Sequence, residues 1–235
     1  MTTIVPGLSK VKHIIAIASG KGGVGKSTVT TNLAHALKKQ GFKVGLLDGD
    51  IYGPSQASMM GKKDGPKAEG NFVHPIENNG IKFISMASMN PGGGALILRA
   101  PMAIKAVSQL IGGVIWGELD YLLMDLPPGT GDIQLTLAQQ ARLSAAIIVT
   151  TPQKVAVDIA RKGLEMFQTL NVPILGVIEN MSGFVCSHCN EETEIFKQGG
   201  GRQLASLMDL NFLGAIPLDP RIVMNSDDGK SLIEE

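Results

Sequence analysis

Two cysteines in 235 residues cannot build a disulfide scaffold, and they sit together in Cys186-Ser187-His188-Cys189. A C-x-x-C with no other cysteine in the chain belongs to metal, cluster or redox chemistry in a reducing compartment, so the cytoplasm is the expected location. Aromatic residues are scarce at 4%, which argues against a base-stacking surface. Neither sign of charge is in excess. Lys+Arg and Asp+Glu are both 21, so no general affinity for nucleic acid or an anionic membrane is expected. No apolar run approaches the roughly 18 residues that a membrane-spanning helix needs. Lys10 and Lys12 ahead of Ile14-Ile15-Ala16-Ile17-Ala18 imitate the start of a signal peptide, but the apolar run is short and glycine and lysine follow it.

What the chain does have is core material: 44% hydrophobic residues against 18% charged. That balance excludes a disordered tail, a coiled coil and a collagen-like repeat, and the length fits one large domain over 1–235. Continuous apolar runs predict strands over 14–18, 44–48, 81–86, 121–125, 145–150, 174–179 and 212–216, as parallel strands covered on both faces require. Between them, 27–40, 103–110, 134–143 and 155–170 carry helical periodicity, the first closed by Gly41 as a C′ residue. Such alternation predicts a doubly wound, mostly parallel α/β sheet. Residues 61–80, polar and rich in glycine and lysine, predict a surface excursion with a hairpin around 72–74. The run Lys230-Ser231-Leu232-Ile233-Glu234-Glu235 reads as the opening of an unfinished element, with the expectation of a truncated C-terminal helix.

The strongest chemical signal is Gly20-Lys21-Gly22-Gly23-Val24-Gly25-Lys26-Ser27-Thr28, a G-x-x-x-x-G-K-[ST] loop between a predicted strand and a predicted helix. Glycines let successive N–H groups turn inward around phosphate oxygens, reinforced by the positive end of the helix. Lys26 is placed to neutralise β- and γ-oxygens, and Ser27 to offer its hydroxyl to Mg²⁺. Asp48, Asp50 and Asp125 stand at the ends of predicted strands, where ligands bind in open α/β sheets. Their other reading is as N-caps of the following helices.

Lys21 is more than a phosphate loop needs. With it, the loop resembles the deviant Walker A motif of the ATPase class that includes MinD, ParA and the nitrogenase iron protein. That resemblance implies a nucleotide-sandwich homodimer in which Lys21 reaches the partner's phosphates. It also implies that Asp50 orients the attacking water, Asp125 holds the Mg²⁺ shell and Asp48 supports it.

Three further stretches narrow the resemblance: Asp48-Gly49-Asp50-Ile51-Tyr52-Gly53-Pro54-Ser55, Asp125-Leu126-Pro127-Pro128-Gly129-Thr130-Gly131-Asp132, and Glu179-Asn180-Met181-Ser182 followed by the cysteine pair. Together they resemble the Mrp/ApbC family of iron–sulfur cluster carrier ATPases, over about 11–228. The family implies a switch at Pro127-Pro128-Gly129, adenine recognition by Asn180, and a loop containing Pro217 and Asp219 that closes over the base. Asn180 could equally be a turn residue after a strand. One departure is Leu98-Arg99-Ala100-Pro101-Met102, which stands where the family has W-R-G-P-M.

Two thiolates are half of a four-thiolate shell. Cys186 and Cys189 from each subunit of a C2 dimer would complete one bridging [4Fe–4S] cluster, in agreement with Lys21. An intersubunit zinc, a redox dithiol or an inert turn remain alternative readings of the pair, with His188 as an occasional zinc ligand. The functional expectation is a slow, Mg²⁺-dependent ATPase that hands its cluster to apo iron–sulfur proteins, with these and cluster-assembly scaffolds as its partners. Its rivals are a positioning ATPase of the MinD/ParA type and a nucleotide-binding scaffold without turnover.

Overall fold

The computed structural model describes residues 6–61, 65–89, 100–186 and 188–233. The first half runs β1 (Val11–Ala18), α1 (Lys26–Lys39), β2 (Val44–Asp48), α2 (Gln56–Met59), β3 (Lys67–Glu69), β4 (Phe72–His74), β5 (Ile76–Asn78), β6 (Ile81–Ser85), α3 (Met86–Met89) and α4 (Ala100–Gly112). It continues through β7 (Leu119–Asp125), α5 (Asp132–Gln140), β8 (Ala145–Thr150), α6 (Lys154–Thr169), β9 (Ile174–Val185), β10 (Glu192–Thr193), α7 (Gly200–Leu207), β11 (Phe212–Leu218) and α8 (Pro220–Asp227).

The sheet order is β10-β9-β8-β1-β7-β2-β6-β5, with β11 alongside β9. All these pairings are parallel except β5 on β6 and β10 on β9. Every residue of β2 and β8 is buried, because successive side chains face opposite layers and both layers are covered. Ala16, Leu122, Met124 and Ile148 pack on one side with Val107 of α4, Leu137 of α5 and Phe167 of α6. Ile17, Leu46, Leu123 and Val149 pack on the other with Val29 and Ala34 of α1. The doubly wound expectation holds.

Boundaries differ in informative ways. α1 begins at Lys26 rather than 27 and hands over at Gln40 to Gly41, whose φ of 92° and N–H to Lys38 O (2.9 Å) form the expected C′ turn. β6 stops at Ser85, because Met86 already opens α3. The hairpin predicted around 72–74 is β3 paired antiparallel to β4, part of an excursion whose residues 62–64 lie outside the described residues. β9 corrects the expected 174–179 most: it runs on to Val185 and carries Asn180 inside the strand rather than in a turn after it. Helices α7 and α8 were not expected. Ser231 and Ile233 belong to no observed helix. They dock on α1, where the Ser231 hydroxyl donates to Asn32 Oδ1 at 3.0 Å and Lys39 Nζ donates to Ile233 O at 2.6 Å. Leu98 and Arg99, Ser187, and Glu234 and Glu235 lie outside the described residues.

Candidate functional site

The carboxyl ends of β1, β7 and β2 meet at one level: Ile17 is register partner of Asp125, and Asp125 of Asp48. The loop over 20–25 leaves β1 here and enters α1. Gly25 is the N-cap residue at φ 77°, and a Cβ there would lie 2.2 Å from Asn180 Nδ2. Gly20 is equally constrained, since its Cβ would meet the backbone N of Ala160 in α6 at 2.5 Å. Glycine is therefore required for close approach as well as for turning.

Lys26 lies buried, with its ammonium paired to Asp125 Oδ1. The other carboxylate oxygen, Oδ2, accepts from Gln56 Nε2 at 2.8 Å. Ser27 is half-buried; its carbonyl accepts from Gln56 Nε2 at 3.1 Å, while its hydroxyl has no partner among the described residues. Asp48 is fully buried, and its oxygens accept from the backbone N–H of Asp50, Ser55 and Gln56, each at 3.1 Å. Burial, and then the charge of Asp125, pushes its pKa up to about 7. Two buried carboxylates side by side repel, and a divalent cation relieves that repulsion. The oxygen-rich donor set of Ser27, Asp125 and Asp48 thus fits Mg²⁺.

Asp50 is half-buried at the mouth, its Oδ1 accepting from Gly53 N at 3.1 Å. Lys21 is half-buried too, and its ammonium has no partner among the described residues. The Thr28 carbonyl accepts from Asn32 Nδ2 at 2.9 Å. Pro127-Pro128-Gly129 follows β7 and is tied back to β1 by Gly129 N–H to Ser19 O at 3.0 Å.

On the far side of the loop, Asn180 donates from Nδ2 to Val24 O at 2.8 Å and is register partner of Ile216 on β11. The strand end carrying Pro217 is thus brought beside it. The Asp219 carboxylate caps α8 through Arg221 N (2.9 Å) and takes the Arg221 guanidinium, which together hold its pKa below the usual carboxylate range.

The cysteines occupy a different place, the tip formed where β10 folds back on the end of β9. Cys186 N donates to Glu191 O at 3.0 Å and Asn190 N to Cys186 O at 2.8 Å, which closes the turn. The backbone N–H of His188, then that of Cys189, then the Cys189 side chain, lower the Cys186 pKa below its ordinary value. Both thiols are free, Cys186 half-buried and Cys189 exposed. Among the described residues no three His, Cys, Asp or Glu side chains form a metal-binding group.

Two residues escaped the sequence reading. Gln56 contacts lie 25 to 69 positions away, so no local pattern could announce them. Glu179, quoted but given no role, is a buried carboxylate that accepts from Ser182 Oγ (2.6 Å), Gly199 N (2.9 Å) and Gly201 N (2.5 Å), anchoring the start of α7.

The family model described as ParA, NUBPL iron-transfer P-loop NTPase, matches residues 10–235. The chain belongs to this family. Among its iron-transfer NTPase relatives, the iron–sulfur cluster carrier protein of Pseudomonas fragi is 48% identical over 229 residues, 96% of this chain and 80% of the relative. That of Escherichia coli K12 is 45% identical over 226 residues, 95% of this chain and 61% of the relative. An Arabidopsis thaliana iron–sulfur protein required for mitochondrial NADH dehydrogenase is 47% identical, over 96% of this chain and 73% of that one. The chain spans less than two thirds of several of these relatives. In structure it is similar to a nucleotide-binding protein of Archaeoglobus fulgidus in complex with ADP, with TM-score 0.86 and 38% identity over 98% of this chain and 90% of that one. Similarity to MinD of Pyrococcus horikoshii (TM-score 0.67, 24% identity, 94% of this chain and 87% of that one) establishes the P-loop NTPase fold. Among the described residues no helix is long and apolar enough to cross a membrane.

Proposed function

We propose that this iron-transfer NTPase hydrolyses ATP slowly and holds a [4Fe–4S] cluster between two copies of itself, to be passed to apo-proteins. The observation that carries the reading is the Cys186 turn, where two backbone N–H groups aim at a thiol whose pKa is lowered. Thiolate, not thiol, ligates iron, so a turn that stabilises the anion is prepared for a ligand. The cluster is cargo in this scheme, and four thiolates require two subunits.

At the other site the ATP phosphates would lie against the N–H groups over 20–25 and the start of α1. Lys26 leaves Asp125 for the phosphate oxygens, a transfer from one anion to another that keeps its charge compensated. Ser27 and Asp125 would hold Mg²⁺, which supplies charge neutralisation at the β- and γ-oxygens. Asp48, with its oxygens engaged by N–H groups, orders the loop that presents Asp50 to the attacking water. Lys21, whose ammonium has no partner among the described residues, is free to serve the neighbouring subunit. Asn180 and the 217–219 loop flank the adenine.

Anaerobic reconstitution with iron and sulfide counts tests the cargo site. The expected result is about four irons per two protomers, with loss of cluster in Cys186→Ser. Full cluster on Cys186→Ser monomers, or stable uptake of zinc alone, refutes the bridging site. Steady-state phosphate release tests turnover independently.

A further inference from the structure

Gln56 is the first residue of α2 and is completely buried. Its amide makes three side-chain bonds: Oε1 accepts from Thr31 Oγ1 at 2.6 Å, while Nε2 donates to Asp125 Oδ2 at 2.8 Å and to Ser27 O at 3.1 Å. Its backbone N–H goes to Asp48 Oδ2 at 3.1 Å. One residue therefore touches each position that would hold or support the cation, and both amide hydrogens are directed into that cluster.

A primary amide is suited to this place in a way its neighbours in size are not. A glutamate would add a third carboxylate beside Asp48 and Asp125, and a methionine would leave Asp125 Oδ2 short of a donor, while the Ser27 carbonyl would keep Thr31 Oγ1 at 3.0 Å. Volume alone would be served by leucine. Asp125 Oδ2 and the Ser27 carbonyl, which can only accept, fix which end of the amide faces the aspartate, and this sets its carbonyl end against the Thr31 hydroxyl. The consequence appears when Lys26 moves to phosphate: Asp125 Oδ1 is left with the long 3.4 Å contact from Thr30 Oγ1, and Gln56 is the donor that still holds Oδ2. The same residue begins the helix whose preceding loop carries Asp50.

We infer that Gln56 is a positioning residue that keeps Asp125 oriented for the divalent cation once Lys26 has left, and ties cation arrival to the Asp50 loop. The inference rests on the nucleotide-site reading above. It concerns binding, so it can be tested without turnover.

The experiment titrates a fluorescent ADP analogue, first in EDTA and then against rising Mg²⁺. In Gln56→Met the metal-free affinity should stay within about twofold of wild type, while the Mg²⁺ concentration giving half of the metal-dependent tightening rises about tenfold, the loss of one hydrogen bond to a charged group. Thr31→Val, which keeps the amide but removes the hydroxyl bonded to its carbonyl end, should raise that concentration by about threefold and guards against a Gln56→Met that does not fold. An unchanged Mg²⁺ half-point in the folded variants overturns the inference, as does equal weakening with and without metal, which marks Gln56 as a support of the phosphate loop only. Wild-type protein whose ADP affinity ignores Mg²⁺ overturns it too. Metal-dependent tightening in wild type without phosphate release would refute hydrolysis and leave the role of Gln56 intact.

Discussion

Replacing Gly25 with alanine tests the closest contact in the phosphate loop. Its φ of 77° lies in the left-handed region, which costs a residue bearing a Cβ about 1–2 kcal/mol. The new methyl would also stand 2.2 Å from Asn180 Nδ2, so the amide must leave and the Val24 carbonyl loses its 2.8 Å donor. An acceptor stranded in a buried position costs about 1–3 kcal/mol, giving a sum of about 2–5 kcal/mol. For a domain of this size each kcal/mol lowers Tm by roughly 2–4 °C. Because the alanine has already expelled the amide, Asn180→Ala should cost about 1–3 kcal/mol in wild type and almost nothing in Gly25→Ala. The assay is a double-mutant cycle by chemical denaturation, with nucleotide affinity followed in parallel. Strict additivity of the two substitutions would refute the contact, and an undiminished Tm in Gly25→Ala would refute the strain as well.

Lys21→Ala and Asp50→Ala should each abolish turnover while preserving nucleotide binding, and mixing the two should restore activity through one intact composite site; a mixture as inactive as its parents counts against action in trans. In Cys189→Ser the rate of Cys186 alkylation should reach half its maximum below the usual thiol value of about 8.5, because the His188 and Cys189 N–H groups remain. A midpoint at or above that value would show that those groups do not stabilise the thiolate.

The parts of the molecule visible in the sequence are those whose causes are local. β2 and β8 are apolar throughout, and both were placed to the residue. The phosphate loop depends on glycine where backbone must turn and approach, and its pattern stands in nine successive residues. α7 was invisible for the opposite reason. It opens on glycines with no local cap side chain, and its first N–H groups are met by Glu179 from across the fold, 20 and 22 positions earlier. The same carboxylate explains why the strand ending expected at 179 was too early. Polar residues after an apolar run read as exposed turn, whereas Glu179, Asn180 and Ser182 are buried, the first two met by distant partners and Ser182 by Glu179. α8 did leave a signal, an Asp219 cap followed by proline at the first helical position, within the stretch that the family resemblance reads as closing over the base. Asp48 likewise had two readings; its oxygens accept from N–H groups of the following loop and of the start of α2, whose N-cap position is Ser55.

β9 carries Asn180 against the phosphate loop and ends one residue before Cys186. Five residues separate the two, with Met181 and Gly183 at φ 57° and 85°, so the span is shorter than the roughly 20 Å of a fully extended chain. On the proposed reading the strand sets the spacing between nucleotide and cluster. A change of chain length between 180 and 186 would then displace the thiols relative to the phosphate loop while leaving the Asn180 contact to Val24 in place.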